Sequence, residues 1–429
     1  MTSDQTSGLA PLRNRDFRLL FLGFAIGQAV MPLQFITQIL WVQEHAPDEY
    51  WLVLVALIGA SRGIGALTFG LYGGALADRF DRRKLLLLIQ LLLVVATLAI
   101  SALMFLGIQG FAGFALFFVL TFLSAGLLSI DAPTRLALVP DVLGPALTPA
   151  GMSLNQAAAQ LAMPVAMFGA GLIIHAVGFS GAYLLSAAGP AAVILFVALM
   201  RHRPVRAGAG RPERYGFRET IADVRFGIAY ARGHPVVLWI IVLLLAMMGL
   251  GFPATANLGP TWITTVVGME IRNMGFVVMN WGIGAFVAAM LLARFPAFER
   301  RGLLIAGGAV LFSVSFVVFV MDNTIPNVVI GNLGLGAGMT MAMVSSTVLI
   351  QHVVPNEVRG RIMSLLQLNM GFAQLMTMPV AVLGQWLSLE VLFPIMALIT
   401  LAAVSLILFA RPQIARARHV VREASEAAG

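Results

Sequence analysis

The sequence predicts an all-α membrane protein of twelve transmembrane helices, arranged as two pseudo-symmetric six-helix bundles. Three observations carry that expectation: the composition, a series of long apolar runs, and a repeat of the loops between them. Of 429 residues, 59% are hydrophobic and only 11% are charged, whereas a soluble domain is about a quarter charged. A helix needs about 20 mostly apolar residues to cross a bilayer. Such runs occupy 17–42, 51–75, 85–108, 111–136, 150–177, 182–200, 236–263, 271–293, 303–321, 326–350, 362–387 and 390–410, spans 1 to 12 in order.

The charge pattern orients these spans. All of the 27 Lys and Arg except Arg62 and Arg272 lie at the chain start, at even-to-odd loops and their helix ends, or after span 12. Cytoplasmic loops collect such residues, so both termini are expected in the cytoplasm and the 44–50 loop outside. Span 1 is too long for a secretory leader and lacks a small-residue cleavage context, so it is read as retained. The longest polar stretch, 201–235, divides a bundle at 17–200 from one at 236–410. Residues 1–16 and 411–429 form cytoplasmic ends. Within the central loop, 221–230 reads either as an amphipathic helix on the membrane surface or as solvated loop.

The halves repeat. Phe80-Asp81-Arg82-Arg83-Lys84-Leu85-Leu86 aligns with Phe298-Glu299-Arg300-Arg301-Gly302-Leu303-Leu304 at an offset of 218, and Val139-Pro140-Asp141 with Val354-Pro355-Asn356 at 215. Matches at equivalent topological positions mark an internal duplication. Gly59/Gly63, Gly70/Gly74 and Gly334/Gly338 carry the four-residue spacing that lets helices approach closely.

The run Gly73 to Lys84, GGALADRFDRRK, resembles the loop 2–3 signature of the major facilitator superfamily, and the twelve-span layout extends the resemblance over the whole chain. LRNRDFRLL from Leu12, DAPTRLALVPD from Asp131 and VPNEVRGRIMS from Val354 are similar to the branch of enterobactin-type siderophore exporters and macrolide-efflux-like proteins. Asp81 stands where the superfamily pattern often has glycine, and Met163 precedes Pro164 where antiporters often have glycine. The resemblance implies alternating access by rocking bundles, with substrate leaving the cytoplasm. It also implies that Asp78 faces the start of span 11 and holds the cytoplasmic side shut, while a basic residue of the same loop reaches an acid at the end of span 4. Asp131 is the acid available there, followed by Arg135 one turn later. Asp78, Arg79, Asp81, Arg82, Arg83, Asp131 and Arg135 are thus the candidate gate. In the simpler reading, the basic residues only set topology.

Several chemistries are excluded. Lys84, the only lysine, is followed by Leu85, so there is no phosphate-binding loop for ATP hydrolysis. The absence of cysteine removes thiolate sites, and no histidine pair or serine elbow suggests a metal centre or hydrolase. No enzyme activity, cofactor or metal is expected, and nucleic-acid binding does not fit basic residues scattered through short loops.

Arg62 is the informative residue. It lies about 16 Å into span 2 at 1.5 Å per residue, near the midplane, where a charge costs at least about 2.5–3.5 kcal/mol and must face protein or water. No carboxylate is predicted at that depth. Arg62 therefore either meets an anionic substrate group, such as a carboxylate, catecholate or phosphate, or is structural and bonded to carbonyls or glutamines. Gln34, Gln38, Gln156, Asn257, Asn280 and Gln367 are the amides expected to join it as a substrate site. Each can instead hold helices together.

The function expected is secondary active export of a small amphipathic or anionic compound, siderophore-like or drug-like, by a monomer in a bacterial inner membrane. Protons are a candidate coupling partner and membrane lipids the surrounding one. Facilitated uniport or import, and translocation of lysophospholipid, are the alternatives.

Overall fold

The computed structural model describes residues 9–108, 110–201, 217–295 and 298–417. Within these, the side chains of 71–79 and 217–224, and of 356, 357, 360, 361, 364, 367 and 368, lie outside the description. The described residues are helical, with no strand among them. Helix α1 covers Arg15–His45, α2 Trp51–Arg79, α3 Arg82–Phe105, α4 Phe111–Leu143, α5 Thr148–Leu185 and α6 Ala188–Leu199. After α7 at Phe217–Gly233 come α8 Pro235–Ala246, α9 Gly259–Thr265, α10 Ile271–Arg294, α11 Arg301–Val320, α12 Ile325–Val353, α13 Asn356–Leu387, α14 Leu389–Ala410 and the short α15 Gln413–Arg416. Ten stretches are long and apolar enough to cross a membrane, and one of them, Thr148–Leu199, takes in spans 5 and 6. Helix α13 covers span 11.

The chain divides into two compact units. Residues 1–219 with 268–279 form the first, and 220–267 with 280–429 the second. In the first unit α1 packs on α5 and α6, α2 on α4, and α3 on α4. Phe17, Leu20, Leu86, Leu138, Val139, Val193 and Val197 form a buried cluster at one end. Trp41 and Phe117 pack at the opposite end, with ring centroids 5.2 Å apart. Asn14 caps α1 by accepting from the N–H groups of Asp16 and Phe17, and its amide donates to Val142 O at 3.1 Å, tying the entry of α1 to the end of α4. A cap of this kind is worth about 1 kcal/mol.

In the second unit α11 and α12 pair so closely that a Cβ on Gly308 or Gly338 would strike the backbone of the partner helix. This is the close approach expected of the Gly334/Gly338 pair. In the first unit the tight α2–α4 contact is made by Gly65 against Phe122 O and by Gly126 against the Phe69 ring.

Three elements differ from the sequence reading. Helix α4 does not end at 136 but continues to Leu143 through Pro133 and Pro140. Spans 5 and 6 are joined through a helix interrupted at Gly178, whose φ of 72° is open to glycine without a Cβ penalty. Span 7 is not one straight helix: after α8 the chain passes through π-helical turns at Met247–Gly251 and Pro253–Asn257, where Leu258 N–H reaches back five residues to Pro253 O at 2.9 Å. Pro253 has no N–H to continue a regular ladder, and the wider turn accommodates it. Residues 221–230 fall inside helix α7, the helical of the two readings open for that stretch.

Candidate functional site

The first unit gathers polar groups from four elements around Gln38. Gln38 is 1% exposed. Its Oε1 accepts from Arg62 Nη2 at 2.8 Å, and its Nε2 donates to Tyr183 OH at 2.8 Å and to Thr121 Oγ1 at 3.2 Å. One turn earlier on α1, Gln34 donates to Thr97 Oγ1 of α3 at 3.3 Å. The Arg62 guanidinium also lies over the Phe35 ring, 4.8 Å from its centroid. Gln34 and Gln38 share one face of α1 because they are four residues apart. The Oε1 of Gln38 and the face of Phe35 offset part of the cost of the partly buried cation.

No carboxylate pairs with Arg62 among the described residues. Gln38 engages only one of its nitrogens, so the guanidinium keeps donor capacity for an oxyanion. Gln38 is therefore both a structural tie between helices and the support that orients Arg62. Thr121 and Tyr183 were not among the expected site residues. Their only sequence signal was a hydroxyl within an apolar run.

Gln156 lies exposed on α5, apart from the hydrogen bonds around Gln38. In the second unit Asn257, at the end of the second π-helical turn, is buried and donates to Gln374 Oε1 at 3.0 Å and Thr377 Oγ1 at 2.6 Å. Asn280 is partly buried on α10. The side chain of Gln367 lies outside the described residues.

Charged groups form two further arrangements in the first unit. Asp131 and Arg135, both 7% exposed, make a bidentate ion pair along α4, with Nη2 to Oδ2 at 2.7 Å and Nε to Oδ2 at 3.2 Å. Gln90 of α3 donates to Asp131 Oδ1 at 2.6 Å. Arg135 Nη1 is buried without a hydrogen-bond partner, and the guanidinium lies 5.6 Å from the Phe24 ring centroid. This is a charge pair with one donor unspent, a costly arrangement in a low-dielectric interior.

Of the expected reach from loop 2–3 to an acid at the end of span 4, the described residues show one contact, and its acid is Asp141. Arg82 pairs with Asp141, Nη1 to Oδ2 at 2.9 Å, and donates to Ala137 O at 3.2 Å. Asp141 becomes available because α4 continues two turns beyond its expected end. Asp81 caps α3 by accepting from Lys84 N–H at 3.0 Å, a local duty that glycine could not perform. Arg83 donates to Ala198 O at the end of α6 at 2.9 Å. The side chains of Asp78 and Arg79 lie outside the described residues.

The helical chain is thus in two units, with polar clusters inside stretches long and apolar enough to cross a membrane. The Major Facilitator Superfamily pattern matches residues 19–378, and the chain belongs to that family. It is a multi-pass membrane transporter. No curated protein matches at the level of sequence. Among solved structures, the nucleoside transporter NupG is similar over 94% of this chain and all of its own, at 12% identity and a TM-score of 0.73. A POT family transporter in complex with 5-aminolevulinic acid covers 94% of this chain and 97% of its own, at 14% and 0.69. A D-xylose-proton symporter covers 92% and 97%, at 14% and 0.68. At such identities the likeness is one of fold.

Proposed function

We propose that this chain exports a small amphipathic or anionic compound, siderophore-like or drug-like, from the cytoplasm by alternating access in a bacterial inner membrane. The observation that carries this reading is Arg62, a cation without a carboxylate partner among the described residues, expected near the midplane, held by Gln38 and retaining donors for an oxyanion. A neutral or cationic cargo would gain nothing from an unneutralised guanidinium at that depth. Gln34 and the amides Asn257, Asn280, Gln156 and Gln367 complete the proposed binding surface. The segments 17–200 and 236–410 are proposed as the rocking bundles of a monomer, with both termini cytoplasmic.

Asp78, Arg79, Asp81, Arg82 and Arg83, with Asp131 and Arg135, are proposed as the cytoplasmic gate. Asp131 is also the proposed proton site. The branch of enterobactin-type exporters and macrolide-efflux-like proteins is the one proposed, on the motifs at Leu12, Asp131 and Val354.

Inside-out vesicles containing the purified chain test this directly. Under an inward-acidic proton gradient they should accumulate a labelled catecholate siderophore. Uptake that stops at equal concentrations and ignores the proton gradient would indicate uniport, and transbilayer movement of a labelled lysophospholipid without siderophore uptake would replace export by lipid translocation.

A further inference from the structure

A second polar site lies in the second unit, away from the spans' interior. Where α14 ends and α8 begins, a cavity of about 420 Å³ is lined by Val236, Ala410, Arg411, Gln413 and Arg416, among others. The Arg411 guanidinium carbon lies over the Trp239 ring, 4.5 Å from its centroid. A cation held over an aromatic ring by its π-face makes no hydrogen bond to it, and a guanidinium has five N–H donors with which to meet a phosphate. Neither Arg411 nor Arg416 has a carboxylate partner among the described residues, and none of the lining residues is acidic.

The site is held in place rather than loosely attached. Gly302 N–H donates to Ala417 O at 3.0 Å, and a Cβ on Gly302 would strike Ile414 O, so the turn carrying Arg416 sits directly on the start of α11. Ile414 is completely buried.

We propose that this cavity binds the phosphate group of an anionic phospholipid headgroup, with Arg411 and Arg416 as its cationic donors. The lipid source is favoured over free phosphate by position. The cavity lies at the end of α14 and the start of α8, both in stretches long and apolar enough to cross a membrane; its lining joins Val236 and Ala410 to the two arginines, and Trp239 is near the start of α8, where aromatic side chains commonly anchor a spanning helix to the interface. Binding there clamps the ends of α8 and α14 to the turn on α11. The leaflet follows from the proposed orientation; the binding itself does not depend on it or on the transported compound.

Native mass spectrometry of the full chain in neutral detergent tests the site, titrating phosphatidylglycerol, phosphatidylcholine and inorganic phosphate separately. Phosphatidylglycerol should bind in preference to phosphatidylcholine. The double variant Arg411→Gln/Arg416→Gln should weaken it about tenfold or more, the effect of losing a charge-assisted hydrogen bond. Arg411→Lys/Arg416→Lys should retain part of the affinity. Gln413→Glu places a carboxylate in the same cavity without removing an arginine, and should weaken binding if the double variant does not fold. Unchanged phosphatidylglycerol binding in the folded variants, or equal binding of phosphatidylcholine, would overturn the site. Inorganic phosphate bound as tightly as the lipid would overturn the lipid assignment.

Discussion

Within its spans the first unit carries charge: a guanidinium on Gln38 and an ion pair along α4. The corresponding polar cluster of the second unit, Asn257 with Gln374 and Thr377, is neutral. The halves repeat in sequence, so the difference is not one of architecture. Amides and hydroxyls can tie helices at any protonation state, whereas an ion pair or a lone cation changes energy whenever a proton or a charged ligand arrives. The two clusters therefore differ in how a change of charge would act on them.

That contrast can be broken most forcefully at Arg135. Replacing it by Met leaves Asp131 buried with only Gln90, and removing one member of a buried pair costs about 3–5 kcal/mol. Thermal unfolding of the purified variant should show the largest loss in this set. Asp131→Asn with Arg135→Met, which removes both charges, should recover much of it. If the double variant is as unstable as the single, the charges are not the source of the effect.

The neutral cluster should respond less. Asn257→Ala removes two hydrogen bonds to α13 and should cost about 1–2 kcal/mol, with no dependence on pH between mildly acidic and neutral buffer. A pH-dependent loss would show that this cluster senses charge after all.

The smallest effect is expected outside the spans. Asp322 accepts from Thr324 Oγ1 and Asn327 Nδ2, each at 2.7 Å, in the turn entering α12. Its carboxyl is held below the ordinary carboxylate range, chiefly by the Thr324 side-chain hydrogen bond, with the Thr324 N–H and the Asn327 amide adding to it. Because the folded value lies below the unfolded one, the stabilisation is full above the ordinary carboxylate value and fades as pH falls through the lowered one. The thermal midpoints of the native chain and Asp322→Ala should therefore differ slightly at neutral pH and converge on strong acidification.

Much of this was legible in the sequence because hydropathy and charge placement act through the bilayer itself. Arg62 announced itself because a charge eleven residues into an apolar helix has few physical explanations. Its partner Gln38 was visible as an amide at i+4 from Gln34. Tyr183 and Thr121 were not, since a hydrogen bond between residues 145 apart in sequence leaves no periodic trace. Asp141 was missed for a local reason: 139–141 reads as loop after a span ending at 136, yet α4 carries Pro140 in its last turn. The π-helical turns before Asn257 were passed over because 247–254 reads as one apolar run; Pro253, which cannot continue a regular ladder, was the sequence signal for them.

The central claim is that Arg62 is held by Gln38 for an anionic ligand rather than for the fold alone. Binding of matched anionic and neutral compounds to purified Arg62→Gln and Arg62→Lys, with thermal stability measured on the same preparations, tests it most directly. The account predicts a folded Arg62→Gln chain with anion affinity reduced about tenfold or more, little change for neutral analogues, and partial retention in Arg62→Lys. Reduced stability with the discrimination between anionic and neutral compounds unchanged would contradict it.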